Sequence, residues 1–113
     1  MQAGEIFLAQ FPFGDVPGMK LRPVLVLTGL VGPVPEVLVA YISSVTPPQL
    51  LPSDLIIDPS KPEFHSTHLK TVSTLRLHKL ATIHSSSLSR QLGVIDSSTA
   101  TEVTKKLRSL LTL

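Results

Sequence analysis

Ser73-Thr-Leu-Arg-Leu-His-Lys-Leu-Ala-Thr-Ile83 decides how the fold is read. Successive Cβ atoms of an extended chain point to opposite sides, so Leu75 and Leu77 fall on one face of a strand. Thr74, Arg76 and His78 fall on the other. Downstream, the serines between 85 and 89 read as a turn and Arg90-Gln-Leu-Gly-Val-Ile95 as a further short strand. Then the period changes. Val103, Leu107, Leu110 and Leu111 stand at i, i+4, i+7 and i+8, the stripe of an amphipathic helix. Ser97–Thr99 supply N-cap hydroxyls, and Thr99 with Glu102 fits a capping box. Lys105, Lys106 and Arg108 fall toward the C-terminal end, where cations suit the helix dipole.

Upstream, short apolar runs are punctuated by proline and glycine. Glu5–Phe11 reads as a strand that ends at Pro12 and a turn-rich stretch, Gly14–Gly18. Pro23–Thr28 is a continuous apolar run of strand length, bounded by breakers. Glu36–Ser44 is a third strand, and Asp54–Asp58 a short fourth. Residues 59–71 read as a polar loop holding His65 and His68. Several short strands followed by one helix predict a mainly β fold, a small antiparallel barrel whose open side the C-terminal helix covers. Repeats and linkers are absent, so residues 1–113 read as a single domain.

Composition narrows the function classes. The chain has 113 residues, 42% hydrophobic and 16% charged, which argues against disorder and suits a single core. It has no cysteine, which excludes a disulfide scaffold and thiolate metal sites. No apolar run approaches the roughly 18 residues of a membrane span, and the N-terminus lacks a basic-then-apolar signal pattern. A cytoplasmic setting is the expectation. The net charge of +2 is unevenly spread: residues 1–58 carry two basic and five acidic groups, residues 59–113 eight basic and three acidic. Lys20 and Arg22 are the two cations of an otherwise acidic first half.

The histidines at 65, 68, 78 and 84 form no metal-ligand spacing, and neither a P-loop, a GxGxxG frame nor a GxSxG elbow occurs. Neither metal nor cofactor is expected. What remains is Lys20-Leu-Arg22-Pro23, Ser43-Ser44 and Arg76-Leu-His78. Pro23 biases Arg22 to an extended conformation where a loop enters a strand. Arg76 and His78 stand about 7 Å apart along one strand face. Guanidinium groups can hold a phosphodiester and offset charge that develops on it. Histidine exchanges protons near neutrality. With RNA as substrate its own 2′-OH can be the nucleophile. Spacing does not reveal convergence, and on chemistry alone the plainer reading is a set of solvated strand-face residues.

At these residues the sequence resembles the MazF/PemK/Kid toxins of bacterial toxin–antitoxin pairs. The resemblance lies in Gly4–Leu8, Phe11-Pro-Phe13, Gly18-x-Lys20-x-Arg22-Pro23, Val24–Leu27, Val37–Ser44, Ser73–Ile83, Leu88–Ile95 and the final helix. It implies an SH3-like barrel, commonly a homodimer, that cleaves single-stranded RNA without metal and leaves a 2′,3′-cyclic phosphate and a 5′-OH. It implies a cognate antitoxin that enters the active-site groove, and operator DNA bound only through the antitoxin complex. Carried over, Arg22 stabilises the scissile phosphate and Ser43 takes the place of a threonine hydroxyl. Arg76 and His78 fall where one branch has an Arg-x-Asp pair, with histidine replacing the aspartate. Lys20, Ser44 and Lys79 are the expected RNA contacts. A CcdB-like gyrase-binding toxin is the alternative of the same fold, but its C-terminal Trp-Gly-Ile is missing, since this chain has no tryptophan and ends Leu111-Thr-Leu113. A non-catalytic nucleic-acid-binding module would call for more exposed aromatics.

Overall fold

The computed structural model describes residues 1–10 and 21–113. Its strands are β1 (Glu5–Gln10), β2 (Leu21–Val26), β3 (Glu36–Ser43), β4 (Asp54–Ile57), β5 (Ser73–His84) and β6 (Leu88–Val94), followed by helix α1 (Ser97–Leu111). All pairings are antiparallel, and they form one sheet in the order β4-β5-β3-β2-β1-β6. The β-branched runs of β2 and β3 meet across the breaker-rich connection that separates them, where Gly32 takes a φ of +76° open to glycine at little cost.

Directly paired residues share a face, and the register therefore defines two cores. On the helix face, Ile6, Leu25, Ala40, Ile42, Leu75 and Leu77 are buried together with Val103 of α1. The opposite face buries Ala9, Val24, Val26, Val37, Val39, Ile83 and Leu88. Leu75 and Leu77 thus lie where alternation places them.

The expected barrel takes the form of a curled sheet that strand pairing does not close. β4 and β6 are its edges among the described residues. The supposed polar loop after β4 contains a 3-10 helix, Pro62–Thr67, which bridges the gap to β6. Ser66 Oγ donates to the Val94 carbonyl at 2.9 Å, and His68 Nδ1 bonds the Leu92 carbonyl at 2.9 Å. Gly93 lies between those two carbonyls and allows the backbones to meet: an added Cβ would stand 2.6 Å from the Thr67 carbonyl carbon and closer still to Ser66 O.

A second departure from simple alternation lies in β5. Leu80 pairs with Ala40 but Arg76 pairs with Tyr41, so Leu77, His78 and Lys79 bulge out of the ladder. Leu77 and Leu80 both pack on the helix face. His78 and Lys79 are therefore both carried to the other side, with Lys79 Nζ 5.7 Å from the centre of the Tyr41 ring. Bulges re-aim side chains in this way and gather next to functional sites.

Helix α1 begins differently from the sequence expectation. Its N-cap is Asp96, whose carboxylate accepts the Thr99 N–H at 2.7 Å, while Glu102 faces Lys106 at 3.7 Å and forms no capping box. Of the apolar stripe, Val103 is buried and Leu107 packs on the core, but Leu110 and Leu111 are exposed because the last turn runs past the sheet. The Thr99 N–H beside Asp96 holds its carboxyl below the ordinary range. Such a group stabilises the fold above its unfolded pKa of about 3.9, and the contribution is lost as pH falls through the lower folded value. Asp96→Ala is expected to lower the melting temperature at pH 7, with the deficit shrinking below about pH 4. Asp96→Asn, which keeps the acceptor, should recover much of the loss. Thermal melts from pH 7 to 2 read both effects; a pH-independent deficit for Asp96→Ala would refute the capping role.

Candidate active site

Phe7, Val24, Tyr41, Arg76 and Asp54 form one row across β1, β2, β3, β5 and β4. They share the face opposite the helix. One step outward on the same face, Arg22 of β2 lies opposite the small Ala9 of β1, and Ser43 of β3 lies opposite Thr74 of β5. Continuing the β2–β3 register by two residues beyond Val24 and Tyr41 sets Arg22 level with Ser43. With strands about 4.8 Å apart and about 3.3 Å per residue, the Cα atoms of Arg22 and Arg76 are about 12 Å apart. Arginine side chains are long enough for a phosphate lying between those positions to be within reach of both, although Arg76 holds its Nε toward Asp54 on the outer strand β4.

The register therefore brings Arg22, Ser43 and Arg76 to one face, and the bulge leaves His78 beside them near Asp54, which the linear sequence left open. Their surroundings differ. Arg76 Nε donates to Asp54 Oδ1 at 3.0 Å, with the arginine side chain 17% exposed and the aspartate side chain fully buried. His78 Nδ1 stands 3.9 Å from the same oxygen, and its side chain is 31% exposed. Arg22, half-buried, makes no ion pair among the described residues.

Ser43 has a local commitment. Its hydroxyl accepts the Val45 N–H and donates to the Val45 carbonyl, each at 3.1 Å, closing a turn at the end of β3. A hydroxyl has one proton to give. To donate to a phosphate oxygen, Ser43 must rotate that proton away from the carbonyl of Val45, an exposed residue. Ser44 is exposed in the bend that follows, and Lys79 lies over Tyr41 at the middle of the row. Lys20 falls outside the described residues, as do Phe11-Pro-Phe13 and the Gly14–Gly18 stretch.

Asp54 is the residue that sequence reasoning missed. Asp54-Leu-Ile-Ile-Asp58 has an acid at each end, and nothing in the spacing separates them. Asp58 closes a turn with Ser60, whose hydroxyl and N–H hold its carboxyl below the ordinary range. Asp54 instead is buried beneath Arg76. A buried carboxylate needs a cation, and the alternation of β5 does offer one, but the pairing of β4 with β5 had to be known first.

The remaining histidines have structural partners. His84 Nδ1 accepts the Ser86 N–H at 3.0 Å in the turn after β5, His68 bonds β6, and His65 Nε2 lies 3.4 Å from the Ser60 carbonyl. Among the described residues no three His, Asp or Glu side chains come together in a metal-holding cluster.

A curled antiparallel sheet with one covering helix defines a small β protein, and one face of it carries two arginines. Residues 2–111 match the PemK-like, MazF-like toxins of type II toxin–antitoxin systems, and the chain belongs to that family. MazF-like toxins are endoribonucleases of toxin–antitoxin systems. Among solved structures, the Mycobacterium tuberculosis toxin MazF-mt6 is similar at 24% identity, over 96% of this chain and 97% of that one, with a TM-score of 0.74. An endoribonuclease in complex with its cognate antitoxin from a mycobacterial species aligns over 100% of this chain and 96% of that one, at 15% identity and a TM-score of 0.70. A MazE–MazF complex from Deinococcus radiodurans aligns over 98% and 94%, at 19% identity and a TM-score of 0.66. These likenesses establish the shared fold. No curated protein sequence gives a significant match.

Proposed function

We propose that this chain cleaves single-stranded RNA without a metal ion, and that Arg22, Ser43, Arg76 and His78 are its catalytic groups. The observation that supports this most is the placement of Arg22, Ser43 and Arg76 on one face of the sheet, with His78 beside them, in a chain of this toxin family. In the proposed reaction the 2′-OH attacks the adjacent phosphorus. The 2′-O–P bond forms, the P–O5′ bond breaks, and the products are a 2′,3′-cyclic phosphate and a 5′-OH. Arg22 and Arg76 hold the phosphate oxygens and offset the charge that grows on them. His78 takes the proton from the 2′-OH. Ser43 donates to a phosphate oxygen once released from Val45, and Arg22 gives the departing O5′ its proton, which solvent restores as His78 releases the one it took. Lys20, Ser44 and Lys79 contact the flanking nucleotides.

The reading extends to partners. A cognate antitoxin binds this chain, a reading supported by the solved complexes of similar toxins with antitoxins; it occupies the same groove, and operator DNA is reached only through that complex. The working form is a homodimer in the cytoplasm. Leu30, Val31 and Val34, all more than half exposed in the connection between β2 and β3, favour a covered surface. No helix among the described residues is long and apolar enough to cross a membrane.

One experiment tests the reaction. The purified chain is incubated with a long RNA in EDTA, and the cut ends are analysed. Cyclic phosphate and 5′-OH ends at a small set of sites are expected, from a species sedimenting at twice 12.2 kDa. Intact RNA, 5′-phosphate ends or abolition of cutting by EDTA would overturn the mechanism, and a monomer at micromolar concentration the dimer.

A further inference from the structure

We propose that Asp54 is the positioning residue of this site, one buried carboxylate that aims both Arg76 and His78; the role rests on the ribonuclease reading above. Asp54 is itself rigidly held. Its Oδ2 accepts the Leu51 N–H at 2.8 Å, and its own N–H donates to the Leu51 carbonyl at 2.9 Å. Lys106 of α1 donates to the Pro52 carbonyl at 3.0 Å and ties the same turn to the helix. With Oδ2 occupied, Oδ1 is the oxygen presented to β5, and Arg76 Nε and His78 Nδ1 both approach it.

Each contact has a chemical consequence. Engaging Nε fixes the plane of the guanidinium and leaves its two Nη groups as the donors for a phosphate, the arrangement that two parallel hydrogen bonds require. A carboxylate facing Nδ1 draws the imidazole proton to that nitrogen. The Nε2 lone pair is then the one offered to a 2′-OH, as a base must be. The separation of 3.9 Å is longer than a hydrogen bond, and closure by about 1 Å on substrate binding completes it. The acidic partner of the site thus comes from the neighbouring edge strand, at a place where β5 itself carries a histidine.

The test reads the ring and the rate separately. In the full-length wild-type chain, ¹⁵N NMR of the His78 imidazole at about pH 8, above the ordinary histidine pKa of about 6.5, is expected to show the Nδ1–H tautomer. Asp54→Asn should shift it toward Nε2–H, and should lower kcat on single-stranded RNA on the order of 100-fold with little change in KM. A purely structural counter-charge for Arg76 would leave the tautomer unmoved. If Asp54→Asn does not fold, the wild-type tautomer still decides, and an Nε2–H ring overturns the proposal. A chain that cuts RNA while Asp54→Asn keeps both its tautomer and its kcat overturns Asp54 alone. Failure of the wild-type chain to cut any RNA overturns the ribonuclease reading and this role with it.

Discussion

Arg22→Ala is expected to lower kcat for RNA cleavage by about 10²–10³-fold, the usual cost of losing one preorganised donor to a developing charge. The structure explains why the loss should be catalytic rather than structural. Arg22 sits at the entrance of β2 beside the small Ala9 and holds no buried carboxylate among the described residues, so its removal strands no charge among them. The melting temperature should therefore hardly move. Arg22→Lys should restore only part of the rate, because an ammonium is a point charge and cannot grip two phosphate oxygens in one plane. Ser43→Ala should cost less than Arg22→Ala, since that hydroxyl must first leave its turn. Single-turnover cleavage beside thermal melts checks the set. Wild-type rates for Arg22→Ala would remove Arg22 from the site.

Gly93→Ala is the substitution expected to damage the fold most. The new methyl group would collide with the Ser66 and Thr67 carbonyls, which are backbone and cannot rotate away. Either β6 or the Pro62–Thr67 helix must shift, and the bonds from Ser66 to Val94 and from His68 to Leu92 lie on either side of the collision. Overpacking of this kind costs about 1–3 kcal/mol. For a domain near this size the melting temperature should fall by roughly 5–20 °C. Calorimetry or circular dichroism measures it. An unchanged melting temperature would mean that the gap between β4 and β6 is not closed in this way.

The elements themselves were legible because their signals are local. Period 2 in Ser73–His78 and period 3.6 from Val103 onward are written residue by residue, and Pro and Gly mark where each run ends. Errors came where two readings share one local pattern. Serine, threonine and aspartate all cap helices, and Asp96 stands just ahead of the hydroxyls that the capping-box pattern selected. The polar stretch after β4 lacks an apolar period, so its 3-10 helix left no trace; what holds it is contact with β6, far along the chain.

The same division runs through the site. From the sequence alone came the strands and helix, the face that Arg76 and His78 share, the isolated cation pair at Lys20 and Arg22, and the likeness to a toxin family. Tertiary structure decided which strand lies beside which. That choice put Arg22 and Ser43 on the face that carries Arg76, pushed Lys79 through a bulge to the face of Tyr41, and placed Asp54 under Arg76 and His78. The reason is physical: side-chain alternation is a property of one strand, whereas register and burial arise only when separate strands pair. A carboxylate that looks like any other acid in Asp54–Asp58 acquires its partners from a strand some twenty residues away.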